Sequence, residues 1–253
     1  MKYFIITGTS RGIGESLVKQ LLHNQDHHII CISRNEHNFV DIEKEYPAHI
    51  SYFSFDLNEI IGIDHLFQKI FTLVDEQNIN SIYLINNAGI LSPIGPVEEN
   101  ESEEIIRNFN VNLLAPYLFT ANFIRHTNHL KVDKRILNIS SGSAKYLLPS
   151  QSAYSTAKAG VDSFSKSIHL EQKDKSHPVK IVSVYPGMID TQLQTEIRST
   201  STEKFPHVEL FKQLHSEGNL QTPDKTAEQL LELLYSAEYG AQTIVEELTL
   251  NDH

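Results

Sequence analysis

The chain predicts a doubly wound α/β fold, one domain over residues 1–253 with a parallel sheet of about seven strands and helices on both faces. Three observations predict it. Short β-branched runs alternate with longer segments whose apolar residues recur every three or four positions. The strand runs are almost continuously apolar, as in Phe4-Ile5-Ile6 and Ile29-Ile30-Cys31-Ile32, the pattern of strands buried on both faces. A glycine-rich turn, Gly8 to Gly14, joins the first strand to the first helix.

In chain order, strands are expected near 3–7, 28–33, 50–55, 81–86, 135–140, 179–185 and 242–249, with helices near 12–24, 59–78, 101–127, 152–172 and 223–236. Residues 36–46 carry a weaker helical pattern. The acidic run Glu98 to Glu104 precedes a helix, where carboxylates stabilise the positive end of the dipole. Within 101–127, Pro116 lacks the N–H that would bond the carbonyl of Asn112 and clashes with it, so a kink is expected there. The helix at 152–172 shows Tyr154, Ala157, Val161, Phe164 and Ile168 on one face. Residues 187–222 contain one short helical pattern, Val208, Leu210, Phe211 and Leu214. Connections of that length in compact domains are usually functional, and this one is the expected substrate cover.

Composition removes several classes of function. At 40% hydrophobic the chain can bury a full core, and its formal charge of −11 argues against a phosphate-backbone binder, so nucleic acid is not an expected partner. The one cysteine, Cys31, lies in an apolar strand as a buried thiol. The thirteen histidines, including His27-His28 and His126/His129, lack a ligand pattern with carboxylate or cysteine, so they are read as solvated and no metal is expected. The first apolar stretch is too short for a signal peptide, and no run approaches the roughly 18 apolar residues of a membrane span. A soluble, cytoplasmic protein is expected.

Chemistry enters at Tyr154-Ser155-Thr156-Ala157-Lys158, with Ser141 upstream. Residues four apart share a helix face. A phenol of pKa ~10 is a poor acid-base group near neutrality, and an adjacent ammonium favours the phenolate. Ser140 and Ser143 compete with Ser141 for the serine position.

The turn Thr7-Gly8-Thr9-Ser10-Arg11-Gly12-Ile13-Gly14 lets the backbone approach a pyrophosphate, which the helix N-terminus attracts. Its Gly-x3-Gly-x-Gly spacing differs from the common dinucleotide fingerprint. The second strand ends in Ser33-Arg34-Asn35 without a carboxylate for a ribose 2′-hydroxyl. Arg34 and Arg11 can instead meet a 2′-phosphate, which favours NADP(H) over NAD(H).

With these pieces the chain resembles the short-chain dehydrogenase/reductase family over essentially its whole length. The likeness rests on the 7–14 turn, Asn86-Asn87-Ala88-Gly89, Asn112, Ser141, Tyr154-x3-Lys158 and Pro186-Gly187. It implies Tyr154 as proton donor to a carbonyl oxygen, Ser141 as its hydrogen-bonding partner, Lys158 as ribose ligand and tuner of the phenol, and Asn112 as part of a water-linked relay. It also implies Gly8, Ser10, Arg11, Gly12, Ile13, Gly14, Arg34 and Asn35 as cofactor contacts, Asp56 at the adenine amino group with Leu57 beside it, and Asn87, Ala88 and Gly89 along the cofactor. Pro186, Gly187, Ile189 and Thr191 would meet the carboxamide and phosphate end.

Within the family the nearest likeness is to the benzil reductase and sepiapterin reductase group, through 186–194, Leu214 to Leu220 and Val132-Asp133-Lys134-Arg135. That implies NADPH-dependent reduction of a ketone or α-diketone, of the benzil to (S)-benzoin type. The alternatives are a pterin reductase, with Asp252 as pterin anchor, a 3-oxoacyl thioester reductase, and an NADPH-binding sensor without turnover. Members pair through the helices near 101–127 and 152–172, so a homodimer is implied, with a tetramer as the alternative.

Overall fold

The computed structural model describes residues 1–35 and 50–248. The weak helical pattern at 36–46 and Asp252 lie outside them.

Seven parallel strands form one sheet: β1 (Lys2–Thr7), β2 (His27–Ser33), β3 (Ile50–Ser54), β4 (Ser81–Asn86), β5 (Asp133–Ile139), β6 (Val179–Val184) and β7 (Ile244–Val245). Their order is β3-β2-β1-β4-β5-β6-β7. The chain therefore winds outward from β1 in one direction, returns, and winds outward from β4 in the other. Adjacent connections leave the carboxyl ends of β1 and β4 on opposite faces, which opens a crevice between them.

Alternation along each strand divides the core into two layers. Ile5, Ile30, Ile82, Leu84 and Ile136 face a layer completed by α2 (Ile63–Phe71), α4 (Ala115–Thr127) and α5 (Ser152–Gln172). Phe4, Ile6, Cys31, Ile85 and Val182 face the other, completed by α1 (Gly12–Leu21) and α8 (Pro223–Tyr235). Each fully buried Leu, Ile or Phe adds about 1.5–3 kcal/mol. Two cations finish helix ends inside this core. Lys134, sealed within it, donates to the carbonyls of Thr127 (3.2 Å) and Leu130 (2.9 Å) after α4, and burial lowers its pKa. Arg135 donates to Leu234 and Ser236 after α8 at 2.6 and 2.8 Å and pairs with Asp133 at 2.7 Å. The Asp133-Lys134-Arg135 run is thus architectural.

Five expectations change. The helix expected at 101–127 is α3 (Ser102–Phe109), a π turn at Asn110–Leu114 and α4, so the missing Pro116 N–H is accommodated by i→i+5 bonding, with Ala115 N–H on the Asn110 carbonyl. The helix near 59–78 is a 3-10 turn at Ile60–Gly62 and α2, which ends at Phe71 and is followed by a turn in which Asp75 accepts from the Gln77 N–H and the Asn78 amide. The last strand shrinks from 242–249 to two residues, because Glu246 turns out to pair with Lys145 at 2.7 Å and the Leu248 carbonyl folds back onto Gln229. Residues 187–222 hold two helices, α6 (Gln192–Ser199) and α7 (Val208–Ser216), where one pattern was expected. His27 is buried rather than solvated: its Nδ1 lies 2.9 Å from the Leu21 carbonyl, and burial lowers its pKa. Among the described residues no group of three or more His, Cys, Asp or Glu could hold a metal ion, and no helix is long and apolar enough to cross a membrane.

Candidate active site

A cleft of about 930 Å³ lies at the carboxyl ends of the strands. Its first half is set by the glycine turn. Gly8 and Gly12 have φ of 72° and 58°, in the left-handed region. A Cβ on Gly14 would stand 2.2 Å from the Gly8 carbonyl oxygen, so only glycine lets the turn close on itself. Asn87 locks the turn from β4, its Nδ2 donating to the carbonyls of Thr7 (3.0 Å) and Gly8 (3.1 Å). The Thr7 hydroxyl in return accepts from the backbone N–H groups of Asn87 and Ala88. The N-terminus of α1 carries no side-chain cap and opens on the cleft beside Ser10, Arg11, Gly12 and Ile13. That arrangement of free N–H groups, positive dipole and absent Cβ atoms fits a dinucleotide pyrophosphate.

Arg34, Asp56 and Leu57 continue the wall. Asp56 is held by its own loop, accepting from the Asn58 N–H at 3.0 Å. Ala88 and Gly89 lie further along, and Pro186, Gly187, Ile189 and Thr191 close the opposite side. Three expected residues do not line the cleft. Gly14 is buried behind the turn it permits, and the Asn35 carbonyl receives the Ser33 hydroxyl at 2.9 Å at the surface. Asn112 is sealed in the core: its amide clasps Ile90, accepting from its N–H at 3.0 Å and donating to its carbonyl at 2.7 Å, and also donates to Asn108 at 2.9 Å. Its side chain is a clamp, which leaves only its backbone for any relay.

The second half of the cleft is built on α5. Tyr154 and Lys158 both face it, 9% and 4% exposed. The Lys158 ammonium donates to the Ile139 carbonyl at 2.7 Å and sits 5.6 Å from the centre of the Tyr154 ring. Gly89 lies beside it, and a Cβ there would crowd Asn112 Oδ1 at 3.2 Å. Ser141 follows β5, accepts from the Ser143 N–H at 3.1 Å and lines the cleft with Tyr154, whose phenol it influences. The competing serines part company here. Ser140 is buried with its hydroxyl on the Lys158 carbonyl at 3.3 Å, while Ser143 contributes a backbone donor.

The electrostatics correct one expectation. Burial pushes the Tyr154 phenol above its ordinary pKa, and the Ser141 side chain, which favours the phenolate, offsets this only in part. The neighbouring lysine does not reverse the direction. Burial brings Lys158 itself down to about 8, against the opposing charge of Asp162. Asp162 was not singled out in the sequence. It lies one turn beyond Lys158 and accepts from Ser183 (2.7 Å) and Tyr185 (2.6 Å), so a buried acid stands behind the lysine. Burial and that acid keep the Tyr185 phenol protonated well above the usual range.

The segment 187–222 covers this half. Ile197, Phe205 and Val208 pack with Leu91 and Tyr154 in one apolar cluster, joined by Leu148, Leu193 and Phe211. The ends of the segment are tied together by a parallel bridge between Ile189 and Gln221. Gln151, one turn before Tyr154, also lines the cleft and was likewise missed. A lone glutamine belongs to no motif, so only its position reveals it.

The sequence model of the family described as short chain dehydrogenase matches residues 2–202. The chain is 41% identical over 246 residues to a benzil reductase ((S)-benzoin forming) of Bacillus cereus, covering 97% of this chain and 98% of that relative. It is 27% identical over 240 residues to the sepiapterin reductase of Rattus norvegicus, covering 91% and 90%. Among solved structures, ElxO with NADP bound aligns with a TM-score of 0.77 at 25% identity, over 97% of this chain and 96% of that one.

Proposed function

We propose, for a chain that belongs to the short-chain dehydrogenase/reductase family of oxidoreductases, that it is an NADPH-dependent reductase of ketones and α-diketones, of the benzil to (S)-benzoin type. The observation that carries this reading is the meeting of Ser141, Tyr154 and Lys158 in one cleft with the glycine turn. NADPH supplies the hydride. Arg11 in the glycine turn and Arg34 after β2, both lining the cleft, with no acid in Ser33-Arg34-Asn35, favour the 2′-phosphorylated cofactor. The likeness to a structure holding NADP adds to that preference.

In this reading the Tyr154 phenol, kept protonated by burial, donates its proton to the carbonyl oxygen, and the Ser141 hydroxyl hydrogen-bonds the same oxygen as it becomes an alkoxide. Lys158 holds the nicotinamide ribose and brings a positive charge beside the phenolate left behind. The Asn112 backbone carbonyl would hold a water through which the proton relay runs. Asp56 and Leu57 would meet the adenine, the N–H groups from Ser10 to Ile13 would meet the pyrophosphate, Asn87, Ala88 and Gly89 would line the cofactor, and Ile189 and Thr191, after Pro186-Gly187, would meet its carboxamide and phosphate. Residues 187–222 exclude water over the reacting carbonyl. Exposed Ile106, Leu114, Tyr117 and Leu170 on α3, the π turn, α4 and α5 favour a homodimer through these helices, which light scattering would register.

The test is NADPH oxidation with benzil, sepiapterin and a 3-oxoacyl thioester in parallel. Benzil should give the highest kcat/KM. Preference for the thioester would replace the diketone reading, and tight NADPH binding without turnover of any carbonyl would make the protein a sensor.

A further inference from the structure

Gln151 is 2% exposed, yet its side-chain amide makes no hydrogen bond with any described residue. Among the described residues the polar side-chain atoms that are both sealed and unpartnered are those of Thr9, Ser81, Asn86 and His207, so the unpartnered Gln151 amide keeps a sliver of surface, and Gln151 lines the cleft. An almost fully buried amide that lacks a partner carries a desolvation cost which a ligand can relieve.

Its backbone is fixed. The Gln151 carbonyl accepts from the Ser155 N–H at 2.9 Å and the Ser155 hydroxyl at 2.6 Å, which pins the residue at the entry to α5. Tyr154 follows three positions later, in the first turn of α5, and both residues line the cleft. Leu148, Leu193 and Phe211 supply apolar surroundings. The other buried glutamine of the cleft, Gln194, is already engaged by Arg198 at 3.4 Å, and Arg198 in turn by Asp190 at 3.3 Å. Gln151 is therefore an uncharged donor at the entry to the helix that carries the proposed proton donor, in a cleft whose cover packs on Tyr154 through apolar side chains.

We infer that Gln151 recognises the second oxygen of a vicinal dicarbonyl, donating its amide N–H to that oxygen while the first carbonyl lies between Ser141 and Tyr154. The inference rests on the carbonyl-reductase reading above and adds to it the feature that separates a diketone from a monoketone. A ketone with a methylene at that place leaves the amide unpaired and binds less well; a dicarbonyl pairs it.

Deoxybenzoin keeps both phenyl rings of benzil and replaces one carbonyl by a methylene. The experiment measures kcat/KM with NADPH for both ketones in the wild type, in Gln151→Met, which keeps the length, and in Gln151→Glu, which exchanges the donor for a charged acceptor. NADPH affinity in each protein reports that the fold is intact. The benzil to deoxybenzoin ratio should fall about tenfold in Gln151→Met and further in Gln151→Glu, the loss expected for one neutral hydrogen bond. Dividing by the wild-type ratio removes the greater intrinsic reactivity of benzil. A ratio that moves less than twofold in both variants overturns the inference and leaves the reductase reading standing. Failure of the wild type to turn over either ketone instead removes the reading on which it rests.

Discussion

The glycine turn and the 187–222 cover face each other across one cleft and are built on opposite principles. The turn is a backbone device: its fit comes from missing Cβ atoms, left-handed φ angles and the Asn87 bonds to Thr7 and Gly8. The cover is mainly a side-chain device, in which Ile197, Phe205 and Val208 close over Tyr154 by apolar packing. Backbone devices tolerate almost no substitution at their key positions, whereas packed covers can be rebuilt from different residues of similar volume. One half of the site should therefore govern the cofactor rigidly, and the other should set the substrate adaptably.

Kinetics can break that division. Tyr154→Phe should lower turnover by about a thousandfold, the scale of losing a positioned proton donor, with NADPH affinity within about twofold. A parallel loss of NADPH affinity would merge the two halves. Gly14→Ala should do the reverse, since its Cβ meets the Gly8 carbonyl at 2.2 Å and the Asn87 amide at 2.6 Å. Overpacking of that kind costs about 1–3 kcal/mol, and fluorescence titration should show NADPH binding weakened by about tenfold to a hundredfold. Phe205→Ala empties the centre of the cover and should cost about 3 kcal/mol of local stability, read as faster amide exchange in α6 and α7. KM for benzil should rise while NADPH affinity stays put. Arg34→Asp should shift the NADPH over NADH preference by about tenfold or more, through loss of a phosphate partner and added repulsion. Equal loss with both cofactors would show that Arg34 does not read the 2′-phosphate.

The smallest effect concerns pH. Lys158 is charged below its pKa of about 8 and neutral above it. The phenol stays protonated to higher pH because burial raises it. Reduction should therefore hold steady through neutrality and decline as pH rises past about 8, and the decline should disappear from the NADPH-affinity profile if Lys158 acts on the phenol alone.

The two regions also differ in how far the sequence reveals them. The sheet, its winding and the glycine turn were readable because they rest on periodicity and backbone chemistry, both local in sequence. Tyr154, Lys158 and Ser141 were readable through their spacing. The cover was readable only in part: its extent, 187–222, and the pattern that becomes α7 were expected, but Leu193 and Ile197 are too few to announce α6, and its contact with Tyr154 exists only in the fold. Gln151 and Asp162 escaped for a similar reason, since a glutamine or a helical aspartate is normally solvated and only burial marks these two. The direction of the Tyr154 shift was misjudged because the sequence displays the nearby charge of Lys158 and hides the desolvation that outweighs it. The π turn shows the same limit, as Pro116 announces a disturbance without saying which way the helix accommodates it.

That Tyr154 belongs to the cover's own apolar cluster has a consequence for anyone reshaping this protein. Variants of Leu193, Ile197 or Phe211 selected to admit bulkier ketones will also wet the phenol, lower its pKa and displace the pH at which turnover peaks. A library screened at a single pH would discard good binders whose optimum has merely moved, so substrate range and working pH need to be mapped together.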